Sequence, residues 1–264
     1  MAGGQQARIW TNNCSIELDK PQPLTTPPAS SIGFPLNFLL TNDDGIDAPG
    51  LAALERAIAP LGTLHVVAPA REHSMCGHRV TTRAPIRVES VGERRWAVEG
   101  TPADCVRIGL HALGLRPDWV LSGVNAGGNL GQDIVISGTV AAAREAAYHG
   151  LPALALSHYL IRDLEVDWDR VSRWATQLFA RCAGDTLADG EFWNLNLPHL
   201  PPGDLPLPEA VPCPPARSPL GVSYAATPEG HLYTASYAGR PQDPASDVEI
   251  CFGGRVSVSR LRLH

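Results

Sequence analysis

The sequence predicts an α/β fold: a Rossmann-like, mostly parallel sheet with helices on both faces, followed by a C-terminal β-hairpin extension. Three observations carry this. Between residues 36 and 198, short apolar runs alternate with helical patterns, the rhythm of parallel sheets covered by helices. The residues directly after those runs are polar or glycine-rich. A composition of 44% apolar and 18% charged residues over 264 positions supports one sizeable core.

The elements follow in order. "LNFLL" (36–40) reads as a strand. Asp47 is placed to cap the next helix, with Pro49 in its first turn. Leu51, Leu54, Ile58 and Leu61 recur at helical spacing, and Gly62 stops the run. "LHVVA" (64–68) is the second strand, and "RRWAVEG" (94–100) reads as another. Thr101, Pro102 and Asp104 open a helix. "DWVLSG" (118–123) is a strand, "GTVAAAREAAYHG" (138–150) an alanine-rich helix, and "PALALS" (152–157) a strand. Val171, Trp174, Leu178 and Cys182 form one face of a helix over 167–184. "FWNLNLP" (192–198) closes the series, and the sheet is expected to be complete by Leu197. Nine of the 22 residues from Pro198 to Pro219 are proline, which excludes a regular helix or central strand there. "GVSYAATPEGHLYTASYAG" (221–239) reads as two strands around a Pro-Glu-Gly turn, and "RVSVSRLRL" (255–263) as a final strand.

A net charge of −6 argues against a stable nucleic-acid complex or adhesion to an anionic membrane. No apolar run approaches the ~18 residues of a membrane span. The first 34 residues are polar and proline-rich, without the pattern of a secretory signal. The six cysteines form no C-x-x-C and match no zinc template, so reduced thiols in a cytoplasmic protein are expected.

The strand ends carry the chemistry. "FLLTNDDGIDAPG" (38–50) sets Asp43 beside Asp44 where a core strand ends. Two carboxylates ~4 Å apart repel by roughly 4 kcal/mol at an effective dielectric near 20. An arginine or a hard divalent cation would offset this. The plainer alternative is one aspartate capping a helix while the other is solvated. In "LSGVNAGGNLGQDIVISGTVAAA" (121–143), Asn125 and Asn129 lie among glycines just past a strand. Ser137, Gly138 and Thr139 stand at a helix start, where unpaired N–H groups and the dipole suit a phosphate. The plainer alternative is a long loop ending in an ordinary cap. Taken together, the two segments favour a metal-plus-phosphate site. The G-x-G-x-x-G fingerprint after the first strand, a P-loop and G-x-S-x-G are all absent.

"LLTNDDGIDAPGL", "VVAPAREHS", "EGTPADCV", "SGVNAGGNLGQDIVISGTVAAAREA" and "GLPALALS", in this order, resemble the SurE survival-protein family of metal-dependent nucleotidases. "NLNLP" and "SDVEICFGGRVSVSRL" are weaker echoes, and the resemblance spans roughly residues 36–262. It implies a phosphatase (a hydrolase, or 5'-nucleotidase) acting on nucleoside 5'- or 3'-monophosphates with one divalent cation, Mn²⁺ or Mg²⁺. The implied metal ligands are Asp43, Asp44, Ser74 and Asn125, with Asp43 and Asp44 also catalytic. The implied phosphate-binding residues are Asn129, Ser137, Gly138 and Thr139. Met75 stands where the family has a small residue, Ile136 where an aromatic is common, and Ala146 where a glycine is. The implied domain layout is a loose extension over 1–34, a catalytic core over 35–200, and a proline-rich loop, hairpin arm and final strand over 201–264. A homodimer or higher homo-oligomer is implied too, with the hairpin carrying most of the subunit exchange.

The candidate general acids are His73 and His78, nearest the Ser74 loop. An aspartate could instead receive the water's proton or attack directly. The rival function classes are a non-catalytic nucleotide- or metal-binding module on the same scaffold, and a partner-binding protein using the proline-rich stretch.

Overall fold

The computed structural model describes residues 35–263, so the expected N-terminal extension lies outside the described residues. The predicted strands form the centre of a nine-stranded sheet in the order β3-β4-β2-β1-β5-β6-β7-β11-β8. From one edge the strands are β3 (Val88–Gly92), β4 (Arg95–Val98), β2 (Gly62–Pro69), β1 (Leu36–Thr41), β5 (Trp119–Ala126), β6 (Ala153–His158), β7 (Glu191–Leu197), β11 (Val256–Arg262) and β8 (Ala210–Pro212). The six strands from β4 to β7 are parallel. β6 is buried along its whole length, as expected of a strand covered on both faces.

Side-chain alternation along the strands feeds two cores. Phe38 and Leu40 point to one face and pack with α1 (Pro49–Ile58) and α5 (Trp168–Cys182) through Leu51, Leu54, Trp174 and Leu178. Leu39 points to the other, where α2 (Pro102–Arg107) and α4 (Gly138–Tyr148) contribute Val106, Val140, Ala143 and Ala146. The alanines of α4 are short, so this helix lies close on the sheet and its N-terminus is held near the strand ends.

Successive strands run outward from β1 on one side and from β5 on the other. The two strands at this switch point send their following loops apart, which opens a crevice at their carboxyl ends. Two glycines let the backbone close up around it. A Cβ on Gly50 would lie 1.9 Å from the Val124 carbonyl oxygen, so only glycine lets α1 start against the end of β5. Gly123 has φ +139°, and a Cβ there would meet the Leu156 carbonyl oxygen at 2.2 Å. The β5–β6 register shifts between Ser122 and Asn125. Such a bulge turns the residues after it, here Asn125.

The structure corrects two expectations and adds elements that the sequence did not show. Asp47 does not cap α1: the N-cap is Ala48, without a side-chain bond. A turn closed by the Ala48 N–H on the Gly45 carbonyl, 3.1 Å, leaves Asp47 exposed. The sheet is not complete at Leu197, because β11 pairs antiparallel with β7 and β8 pairs with β11. The proline-rich stretch supplies β8, at the sheet edge where Pro212 is tolerated. Buried Arg170 fixes this stretch, donating to the Leu200 carbonyl at 2.7 Å and to that of Pro201. Exposed β3 was not foreseen, nor was α6 (Asp247–Phe252), capped by Ser246. The hairpin forms as predicted, as β9 (Tyr224–Thr227) and β10 (Gly230–Tyr233).

Candidate active site

The last residues of β1 turn into the crevice and deliver the carboxylate pair. Asp43 is 5% exposed. Thr139 Oγ1 donates to its Oδ1 at 2.6 Å, and the Thr139 amide donates to it as well. Burial nevertheless outweighs these bonds and, with the charge of Asp44, lifts the Asp43 pKa from 3.8 to about 6. Burial also raises Asp44, whose Oδ2 accepts the Ala126 N–H at 2.9 Å; this bond pulls the pKa back and the nearby Glu72 charge raises it. Among the described residues no arginine or lysine forms an ion pair with either aspartate.

The loop after β2 closes one side. The His73 N–H donates to the Asp43 carbonyl at 2.7 Å, and the Gly77 N–H to the Ile136 carbonyl at 2.8 Å. Ser74 therefore sits one residue from a direct backbone link to Asp43, its hydroxyl donating to Glu72. Met75 takes φ +55° and is 80% exposed, so its side chain points to solvent and the loop keeps its contacts. On the other side, Asn125 Nδ2 donates to the Gly127 carbonyl at 2.7 Å, which leaves Oδ1 as its acceptor for a ligand.

The α4 N-terminus is aimed at Asp43. Ser137 caps the helix, accepting the Val140 N–H at 3.0 Å while its hydroxyl proton stays available. A Cβ on Gly138 would lie 2.9 Å from Asp43 Oδ2 and 3.1 Å from Cys76 Sγ, so glycine keeps that oxygen accessible. Asn129 is committed elsewhere: its Nδ2 donates to Ser157 at 2.7 Å and its N–H to Asn196 at 2.7 Å. Direct contacts thus unite Asp43, Gly138 and Thr139. Asp44, Ser74 and Asn125 join them through neighbouring backbone. Asn129 is anchored to the ends of β6 and β7.

The donor set fits a hard cation. It offers carboxylate, hydroxyl and amide oxygens around two carboxylates that have no arginine or lysine ion pair among the described residues. Among the described residues no group of three His, Cys, Asp or Glu side chains is arranged for a metal, so a thiolate or imidazole centre is not built.

The family model for the survival protein SurE matches residues 38–211. The chain belongs to the SurE family. A Synechocystis sp. relative, provisionally named a 5'-nucleotidase, is 46% identical over 228 residues, covering 86% of this chain and 100% of the relative. The 5'-nucleotidase SurE of Paramagnetospirillum magneticum is 39% identical over 244 residues, 90% of this chain and 94% of its own. The crystal structure of the SurE protein from Aquifex aeolicus superposes with a TM-score of 0.75 at 30% identity, covering 86% of this chain and 94% of that one.

Within this SurE chain, sequence reasoning missed the supports of the site. Glu145 on α4 accepts from His78 Nε2 at 2.6 Å, Arg107 Nε at 2.6 Å and His149 Nε2 at 3.1 Å. Burial alone would raise its pKa, but the bonds from His78 and Arg107 bring it down to about 2. His78, one of the two candidate general acids, is thereby engaged in bracing the Ser74 loop against α4. Burial and the charges of Arg79 and Arg71 lower the pKa of the other, His73. The i,i+4 pair Glu145–His149 was readable in the sequence; the contacts of Glu145 with His78 and Arg107 were not.

The raised pKa of Asp43 makes a prediction about the metal-free protein. Between about 3.8 and about 6 the folded state holds a proton that the unfolded chain has lost, so stability falls as pH rises through that window. Above it the ionised carboxylate costs about 3 kcal/mol, from 1.36 kcal/mol per pH unit of displacement. Asp43→Asn should raise the melting temperature of EDTA-treated protein at pH 7.5, on the order of 5 °C, with no gain at pH 3.5. A lower melting temperature at pH 7.5 would contradict this electrostatic reading.

Proposed function

We propose that this chain is a divalent-metal-dependent phosphatase that hydrolyses nucleoside 5'-monophosphates, and secondarily 3'-monophosphates, to nucleoside and inorganic phosphate. The observation that carries the proposal is buried Asp43 beside half-buried Asp44, with no arginine or lysine ion pair among the described residues, facing the α4 N-terminus at the sheet's switch point. The names borne by relatives matching most of the chain supply the substrate class.

Asp43, Asp44, Ser74 and Asn125 would hold one Mn²⁺ or Mg²⁺. The cation supplies charge neutralisation and Lewis-acid catalysis. The chain supplies the rest. Thr139 orients Asp43 through Oδ1, and Gly138 leaves Oδ2 accessible. Asp44, held through Oδ2 alone, has Oδ1 available to receive the proton of the attacking water. The Ser137 hydroxyl and the adjoining helix N–H groups would stabilise charge on the equatorial phosphoryl oxygens. Asn129 would fix the far wall of the phosphate site, through the loop backbone that it anchors. The non-catalytic binding module is the weaker reading, because all four metal-ligand positions keep oxygen-bearing side chains. A cytoplasmic location belongs to this proposal and fits the free thiols of the described cysteines. No described helix is long and apolar enough to cross a membrane.

Phosphate release from nucleoside monophosphates tests this. Activity should appear with Mn²⁺ or Mg²⁺, vanish in EDTA, and fall at least ~100-fold in Asp44→Asn with the fold retained. Metal binding without turnover on any nucleotide would favour the binding module.

A homodimer or higher homo-oligomer is the second part of the proposal. Val222, Tyr224, Leu232 and Tyr233 are exposed on a hairpin that pairs with no other described strand. A lone two-stranded hairpin is marginal in water, so a second copy is the occupant that would cover these side chains. Replacing residues 222–234 by a short Gly/Ser linker, with Tyr237 kept, should yield a monomer by light scattering. An unchanged oligomer mass would reject the hairpin as the main contact.

A further inference from the structure

The glycine-rich loop is fixed from a distance. Gly127, Gly128 and Gly131 give it large conformational freedom, which Asn129 restrains on the side of β6 and β7. A second restraint, on residues 130–133, comes from residues about a hundred positions further on. Buried Arg240 donates through Nη1 to Asp133 Oδ2 at 2.5 Å and through Nη2 to the Leu130 carbonyl at 3.0 Å. The Tyr237 hydroxyl donates to the same Asp133 oxygen at 2.8 Å, and the Arg240 guanidinium lies 4.8 Å from the centre of the Tyr237 ring. Asp247 accepts the Gly131 N–H at 2.8 Å, and the Leu220 N–H donates to Gln132 Oε1 at 2.9 Å. Asp133 in turn opens α3 (Asp133–Ile136), and its carbonyl accepts the Ser137 N–H at 2.9 Å. The path from Arg240 to the start of α4 therefore runs through one carboxylate and one helical turn.

A buried ion pair contributes little net stability over an apolar replacement, but it holds one geometry. We propose that Tyr237 and Arg240 are positioning residues of the phosphate site: through Asp133 they hold Ser137 and the α4 N-terminus in register with Asp43. This rests on the phosphate-binding role proposed above for Ser137 and the N–H groups at the start of α4. Leu220 and Tyr237 flank the exposed hairpin, so both of its ends terminate on the loop that leads into the site.

Tyr237→Phe is the decisive variant. It removes only the hydroxyl and keeps the ring stacked between Tyr159 and Arg240. Amide hydrogen exchange over residues 130–139 of the metal-free protein should quicken about 10-fold, with the rest of the core unchanged. KM and the inhibition constant for inorganic phosphate should rise about 3- to 10-fold, with kcat within about twofold. Arg240→Lys should move the same quantities further; if it fails to fold, Tyr237→Phe decides alone. Unchanged exchange, or faster exchange with phosphate inhibition as in wild type, overturns the inference. So does a uniform loss of protection across the core, which marks a merely structural role. If Ser137→Ala leaves phosphate inhibition unaltered while Tyr237→Phe loosens the loop, the phosphate-site reading fails and the inference falls with it, whereas the clamp contacts stand.

Discussion

Asp43 is taken out of water at the end of a core strand, and no arginine or lysine among the described residues pairs with it. Most of what surrounds it answers that one constraint. The Thr139 hydroxyl and amide donate to it and the α4 dipole points at it, yet burial still lifts its pKa to about 6. Asp44 beside it adds repulsion. A folded chain carries such a pair at neutral pH when something else balances the charge, and the oxygen donors on three neighbouring loops suit the divalent cation proposed above. The stability lost in the metal-free state is then recovered on binding, so metal affinity and folding are linked.

The scaffold makes this geometry possible. Alternate residues of β1 anchor it in both cores, which fixes where its carboxyl end delivers Asp43. Short alanines seat α4 close enough for Thr139 to reach Asp43. Gly50 and Gly138 remove side chains where backbone or carboxylate must pass. Two further networks pin the mobile parts. Glu145 ties the Ser74 loop to α4 through His78, and Arg240 ties the glycine-rich loop to the C-terminal segment.

Local pattern and long-range contact divide what was legible in the sequence. The runs at 36–40 and 152–157 declare buried strands, and the spacing of Val171, Trp174 and Leu178 declares a helix face. The site segments were legible because they lie at strand ends, where the fold class places ligands. Asp47 misled because local capping preference lost to a turn that the Gly45 backbone had already closed. Exposed β3 offers only Val88 and Val91 among polar residues and glycine, and β11 joins β7 across some sixty residues that sequence pattern cannot bridge. Thr139 read as a phosphate hydroxyl, and only the structure reveals its bond to Asp43. The same holds for Glu145 and Arg240, whose partners are distant in the chain.

The central claim, a buried carboxylate protonated near pH 6 until a cation displaces the proton, has a direct test. Calorimetric titration with Mn²⁺ in buffers of different ionisation enthalpy counts the protons released. Close to one proton or more should leave at pH 5 and almost none at pH 8, with the release at pH 5 reduced in Asp43→Asn. Binding that releases no protons at pH 5 would contradict the account.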